Sequence, residues 1–420
     1  MKSSFSLQFL LLLFPIFLFS QTTIITQGRN ILVNDTVYKI HGLCYNPVAI
    51  GNASSTPLDF SHIDQDIQLM QQAKINTVRT YIPITNSGVL DKFAAAGIKV
   101  IIGFPNYNTS YPDINHKTYL NYISSYKNHP AILMWELGNE YNYHPEWFNN
   151  DVNNWYTILN DAATAIHSAD PNHPVSTAHG EVPALNVLGL CPAVDVWGMN
   201  VYRWDNPSGA ISEFAARSTK PCYLSEAGGD RYNNTEGKEN QQNQADADLN
   251  TWNNIKNHFD QFSGITFFSF VDEWWKSGNG SIHDASGFVN SIPYDNFANE
   301  EWWGIVDINR NTTLAYDALK TAFTDFTTGT PDFAKVQTLM FYPNPFKRTT
   351  TFTYTLTKSS LVSLQILDNI GRLVAEPVNE FQQNGEHKVI WNAEGMPAGI
   401  YFCSLKTGVQ MNSMKIMKIK

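Results

Sequence analysis

The sequence predicts a (β/α)8 TIM barrel followed by a small C-terminal β-sandwich, and three observations predict it. Eight β-rich apolar runs alternate with helical patterns across about 300 residues, the count of a barrel in which each strand is trailed by a helix. The runs are near-continuous in apolar residues rather than alternating, as expected of parallel strands covered on both faces. After residue 326 the composition changes to a Thr/Pro/Gly stretch and then to short alternating strands. A doubly wound sheet would want a Gly-rich turn after an early strand, and HGLCYN at 41–46 has no such turn.

The elements follow in order. Residues 1–20, MKSSFSLQFLLLLFPIFLFS, place Lys2 before an apolar run at 9–19 that Pro15 interrupts. That run is too short for a stable membrane span and reads as a secretory signal peptide, cleaved near Ser20 and Gln21. A catalytic barrel domain is expected over 21–326, opened by a short hairpin turning at Asn34-Asp35. Its strand candidates lie at 39–46, 76–81, 99–105, 132–140, 174–180, 195–202, 222–228 and 264–275. Helical patterns separate them, such as GVLDKFAAAG, which stops at Gly97, and TTLAYDALKTAFTDF closes the domain. Residues 327–337 read as a linker and 338–420 as the β-sandwich, with turns at 369–371, 384–385 and 397–399.

Composition bounds the partners. Aromatic residues make up 13% of the 420 and charged residues only 16%, which describes a well-packed globular chain. A formal charge of −10 with no basic stripe disfavours a nucleic-acid partner. The four cysteines show no metal-ligand spacing; Cys191 with Cys222 is the one pair considered for a disulfide, with free buried thiols as the alternative. No nucleotide loop and no metal cluster is read, so neither cofactor nor metal is expected.

In a barrel of this kind the working face lies at the C-terminal ends of the strands. Reading those ends collects His41, Asn46, Arg79, Tyr81, Asn106, Asn139, Glu140, His179, Asn200, Tyr202, Glu226, Asp272, Glu273, Trp274 and Trp275. Two carboxylates in one mouth, Glu140 on the fourth strand and Glu226 on the seventh, suit acetal chemistry. Cleaving a glycosidic bond needs a proton for the leaving oxygen and a carboxylate for the positive charge left at carbon. The two environments must therefore push the carboxyl groups toward different protonation states. Strict alternation points Glu136 to the same side as Glu140 unless a bulge intervenes. A buried Glu136 would need a partner such as Arg79, and it is assigned to structure.

The motifs WELGNE on the fourth strand and LSE on the seventh resemble the retaining glycoside hydrolases of clan A. HPAILMWELGNE, DVWGMNVYRW and GITFFSFVDEWW are most similar to the barrel of glycoside hydrolase family 2, the group of β-galactosidases, β-glucuronidases and β-mannosidases. The likeness covers about residues 38–326. It implies that Glu140 is the acid/base, that Glu226 is the nucleophile, and that Asn139 meets the sugar 2-hydroxyl. It further implies that Arg79 and Tyr202 hold the nucleophile. Two departures stand out: the seventh strand continues Ala227-Gly228 where the family has Tyr-Gly, and the β-sandwich domains that precede the family barrel are not read here.

Other candidates rest on the residues themselves. Asn200 and His41 are expected to bind substrate. His179 either lines the site or satisfies a backbone carbonyl. Of Trp274 and Trp275, one is expected beneath a sugar ring, because an aromatic face suits the C–H side of a pyranose. The clan resemblance implies a β-linked glucan or a mannan-type carbohydrate, since barrels of that clan with little else often act on β-1,3-glucans or β-mannans. The opening HGLCYNP with NTVRTY resembles the fungal β-1,3-glucanosyltransferases, which favours a β-glucan. FYPNPF, LQILDNIGRLV and GIYFCSLKTG resemble the C-terminal sorting domain of the type IX secretion system. That resemblance implies export through the periplasm to the cell surface or medium, with the secretion machinery as partner. The sequence reading is a secreted retaining β-glycoside hydrolase. A β-1,3-glucan transglycosylase and a non-catalytic carbohydrate-binding surface protein are the alternatives.

Overall fold

The computed structural model describes residues 22–328, 336–356, 360–369, 371–407 and 410–420. The signal peptide expected at 1–20 and most of the linker expected at 327–337 therefore lie outside the described residues. The described residues open with three antiparallel strands, Ile24–Gln27, Asn30–Val33 and Thr36–Tyr38. The turn at Asn34-Asp35 forms as expected, both residues taking φ near the left-handed value, at 49° and 61°. A second turn at Gly28-Arg29 adds a strand to the expected hairpin. The sheet plugs the bottom of the barrel, where Ile24 and Ile31 pack on Ile40, Ile101, Leu133, Met134, Val196 and Tyr223.

Eight parallel strands then close on themselves: β1 (Ile40–Cys44), β2 (Thr77–Thr80), β3 (Lys99–Phe104), β4 (Ile132–Asn139), β5 (Val175–Gly180), β6 (Val196–Asn200), β7 (Cys222–Glu226) and β8 (Gly264–Phe267). Each pairs with the next in the chain and β8 pairs back to β1, with Ile265 opposite His41. The covering helices are α1 (Ile63–Gln72), α2 (Ser87–Ala95), α3 (Tyr119–Tyr126), α4 (Val152–Ala169), α5 (Leu185–Leu190), α6 (Ser208–Arg217), α7 (Gln241–Lys256) and α8 (Leu314–Thr328). Outward-facing residues such as Leu43, Val78, Ile102, Trp135, Leu137, Trp197 and Leu224 form one core with them.

Beyond residue 335 two antiparallel sheets share a core of their own. One holds Val336–Tyr342, Thr349–Leu356 and Gly385–Asn392; the other holds Leu373–Gln382, Ser360–Leu367, Gly399–Thr407 and Gln410–Lys418. Inner-face residues of both, including Phe352, Tyr354, Leu364, Trp391, Tyr401 and Cys403, pack together as a sandwich. Cys44, Cys191, Cys222 and Cys403 are all buried free thiols, so Cys191 and Cys222 are not paired.

Candidate active site

The strands present side chains by alternation, and two local breaks in that alternation build the site. Along β4, Met134 and Glu136 point inward while Trp135 and Leu137 pack outward. Strict alternation would then send Asn139 outward. The register of β4 on β5 shifts between Glu136 and Asn139, and Gly138 takes φ 71°. A Cβ at Gly138 would also lie 2.6 Å from the Trp155 ring, so the position asks for glycine twice. This bulge turns Asn139 into the mouth and leaves Glu140, itself at φ 56°, as the first residue beyond the strand. On β7 the register against β6 shifts between Leu224 and Glu226, and Glu226 is likewise turned inward. Both glutamates thus stand on bulged strand ends.

Arg79, wholly buried on β2, ties the floor together. Its Nε donates to Glu136 Oε1 at 2.6 Å, one terminal nitrogen to Glu226 Oε1 at 2.9 Å, and the other to Asn139 Oδ1 at 2.7 Å. The expected competition between Glu136 and Glu226 for Arg79 does not arise, because the guanidinium fork serves each from a different nitrogen. Glu136 sits below the site, with Tyr223 donating to its Oε2 at 2.5 Å and Ser176 at 3.2 Å.

Glu226 accepts two further hydrogen bonds: Tyr81 Oη on Oε1 at 2.9 Å and Tyr202 Oη on Oε2 at 3.1 Å. Asn200 donates to Asn139 Oδ1 at 3.2 Å and accepts from Ser225 Oγ at 2.6 Å. Glu140 stands in different surroundings. Burial, and after it the negative charge of Glu226, push its carboxyl up to about 7, against smaller opposing effects of Asn200, Arg79 and Lys276. One mouth therefore holds a carboxylate bound by three donors and a carboxyl poised to carry a proton near neutrality.

Seven of the nine expected site residues reach the C-terminal end of the barrel, namely Glu140, Glu226, Asn139, Arg79, Asn200, Tyr202 and Trp274. Trp274 lies in the turn after β8, partly buried against the main core with one face stacked on His283 at 5.1 Å. His41 and His179 are corrections. His41 is the second residue of β1, near the barrel bottom, and points outward among Trp252, Phe323 and Phe326. His179 faces outward from β5 toward α4, its Nε2 3.1 Å from Tyr156 Oη and its Nδ1 3.0 Å from the Glu181 carbonyl oxygen. Of the two readings of His179, the backbone-satisfying one describes its geometry. Both histidines fail for one reason: they occupy odd-phase positions on strands whose alternation is unbroken.

The sequence reading named Tyr81 at a strand end but gave it no role, although it lies two residues beyond Arg79 and so on the same face. It left Asp272 and Glu273 between binding sugar hydroxyls and capping loops, and it passed over Lys276. Lys276 Nζ lies 3.2 Å from Glu300 Oε2 and 3.7 Å from Glu273 Oε2, and 4.2 Å from the centre of the Phe268 ring.

Comparison with known proteins agrees with this architecture. Residues 107–284 match the family described as glycosyl hydrolases family 2, TIM barrel domain, and residues 340–420 match the secretion system C-terminal sorting domain. The chain thus carries a glycoside hydrolase family 2 type of barrel followed by a type IX sorting domain. Among solved structures it is similar to a β-galacturonidase from Eisenbergiella tayi bound to galacturonate, at 21% identity and TM-score 0.53, covering 72% of this chain and 54% of that one. It is similar also to Bacteroides uniformis β-glucuronidase 2, at 14% identity and TM-score 0.55, covering 94% and 48%. A third is a Faecalibacterium prausnitzii β-glucuronidase, at 20% identity and TM-score 0.51, covering 72% and 52%. The chain therefore spans about half the length of the structures it matches, and at these identities the likeness is one of fold. No curated protein matches the sequence.

Proposed function

We propose that the chain is an exported, retaining β-glycoside hydrolase acting by double displacement on a β-linked glucan or mannan-type carbohydrate. Glu226 attacks the anomeric carbon while Glu140 gives its proton to the departing oxygen. Glu140, now ionised, then takes a proton from the water that releases the sugar from Glu226. Arg79, Tyr81 and Tyr202 hold the nucleophile in line, and Asn139, fixed by Arg79 and Asn200, offers its amide to the sugar. Arg79, Tyr202 and Asn139 are the residues that the family resemblance assigns to these tasks.

One observation carries the reading: at one mouth, Glu226 collects three donors while burial and Glu226 together raise Glu140 to about 7. That is the division of labour between a carboxylate nucleophile and a carboxyl proton donor. The C-terminal sandwich fits delivery outside the cell, and we propose that it is read at the outer membrane and removed there. Domain limits of 21–326 and 338–420 fit this division of labour.

The test is covalent trapping with a 2-deoxy-2-fluoro aryl β-glycoside followed by peptide mass spectrometry. The adduct is expected on Glu226. Glu140→Ala is expected to form the same adduct from a dinitrophenyl glycoside, whose leaving group needs no proton. An adduct on any other residue, or full turnover by Glu226→Ala, would overturn the assignment.

A further inference from the structure

Glu273 follows β8 at the mouth and has no place in the proposed displacement. It is only 3% exposed, and its Oε1 has no hydrogen-bond partner among the described residues. Its Oε2 lies 3.7 Å from Lys276 Nζ, beyond a hydrogen bond. It belongs to the site electrostatically: burial pushes its carboxyl up to about 7, with the charge of Lys276 opposing and that of Glu226 adding, and Glu273 acts in turn on Tyr81. Two residues beyond the end of the adjacent strand β1, Asn46 is buried and its Oδ1 is likewise unpartnered among the described residues. A buried acceptor without a donor costs free energy unless a ligand completes it.

The nearby cations are all committed. Arg79 spends its nitrogens on Glu136, Glu226 and Asn139, and Lys276 lies between Glu300 and Glu273. Arg231 holds Asp272 and Glu239, and Arg203 holds Glu181 and Glu213. Acceptors in need of protons call for a ligand that brings hydroxyl donors. A sugar carboxylate brings only acceptors and a negative charge, into a mouth that already holds Glu226, Glu273 and Glu300 around Lys276.

We propose that Glu273, steadied by Lys276, is a specificity-determining residue that accepts hydroxyl hydrogens from an uncharged sugar and turns away sugars bearing a carboxylate. The inference rests on the hydrolase reading above and gives a residue-level reason for the neutral β-hexosides which that reading takes as substrate. It separates this chain from the β-glucuronidases and β-galacturonidases whose fold it shares.

The experiment compares the wild-type chain, Glu273→Gln and Glu273→Ala on 4-nitrophenyl β-glucoside, β-mannoside, β-galactoside, β-glucuronide and β-galacturonide. At least one neutral glycoside is expected to be cleaved with kcat/KM a hundredfold or more above either uronide. Glu273→Ala is expected to lower kcat/KM on that glycoside by tenfold or more, largely through KM. Glu273→Gln, which keeps an acceptor, is expected to lose less. Among monodeoxy forms of the preferred glycoside, the one lacking the contacted hydroxyl should be nearly indifferent to Glu273→Ala, an indifference that mere misfolding would not produce. Preference for a uronide, or an equal loss on every deoxy analogue, overturns the specificity proposal and leaves the hydrolase reading standing. If no glycoside of either kind is cleaved by the wild type, the hydrolase reading itself falls, and the specificity proposal falls with it.

Discussion

Arg79 reaches Glu226 at 2.9 Å from a position with no solvent exposure, and the same guanidinium holds Glu136 at 2.6 Å. A buried cation between two carboxylates is balanced only while all three remain. Replacing Arg79 with Ala would strand Glu136 without its counter-charge in the barrel floor. Arg79→Ala is therefore expected to destabilise the fold by about 3–5 kcal/mol, read by urea unfolding. Arg79→Lys keeps a charge but cannot serve three acceptors from one plane. It should remain folded and lose about 100-fold or more in kcat, and retention of wild-type kcat would refute the role given to the fork.

Tyr81 and Tyr202 each donate one hydrogen bond to Glu226, on different oxygens. Hydrogen bonds to a charged group contribute about 1.5–3 kcal/mol, so each Phe variant should lose roughly 10- to 100-fold in kcat. Because the two share one carboxylate, the double variant should depart from additivity. Stopped-flow measurement of the aryl-glycoside burst separates the first displacement from release. A Tyr81→Phe variant indistinguishable from wild type in both phases would remove Tyr81 from the site.

Much of this site could be read from the sequence, and the reason is topological. A closed parallel sheet brings residues far apart in the chain to one rim, so collecting strand-end side chains recovered Arg79, Asn139, Asn200, Tyr202 and both glutamates. The same rule brought in His179, because it records height along a strand and ignores which face a residue occupies; His41, second in β1, misses in height as well as in face. Only the bulges at Gly138 and Ser225 turn the β4 and β7 ends inward, and a bulge is a pairing between two strands that one strand's sequence does not display. Lys276 escaped for a related reason: its partner Glu300 lies 24 residues away, within the long excursion between β8 and α8.

Glu140 links activity to stability. Its carboxyl is raised to about 7 in the fold against 4.5 ordinarily, so the fold favours the protonated form. The stability that this contributes is full below about pH 4.5 and is lost as pH rises through 7. Glu140→Gln stays neutral throughout. It is expected to match the wild type in melting temperature near pH 4.5 and to exceed it at pH 8.5, while losing turnover on unactivated glycosides. In the wild type, kcat/KM should fall on the alkaline side with a midpoint near 7. Equal melting temperatures at pH 8.5 would show that Glu140 carries no such strain.

His41 offers the opposite sign, far from the chemistry. Burial lowers its ring to about 4 from the ordinary 6.5, with the Lys74 backbone opposing more weakly. The unfolded chain therefore binds a proton more readily than the folded one between those values. The stability that neutral His41 contributes is present above pH 6.5 and is lost as pH falls through 4. The ring lies 5.3 Å from Phe323 and 5.7 Å from Phe326, in a pocket that accepts an aromatic side chain. His41→Phe cannot take up the proton, so its melting temperature should fall less steeply than that of the wild type between pH 7 and pH 4. Because His41 points away from the mouth, aryl-glycoside turnover at pH 7 should stay within about twofold of wild type, as expected for a change more than a barrel wall from the reacting atoms. A large loss of turnover with stability intact would return His41 to the substrate-binding role that its outward orientation denies it.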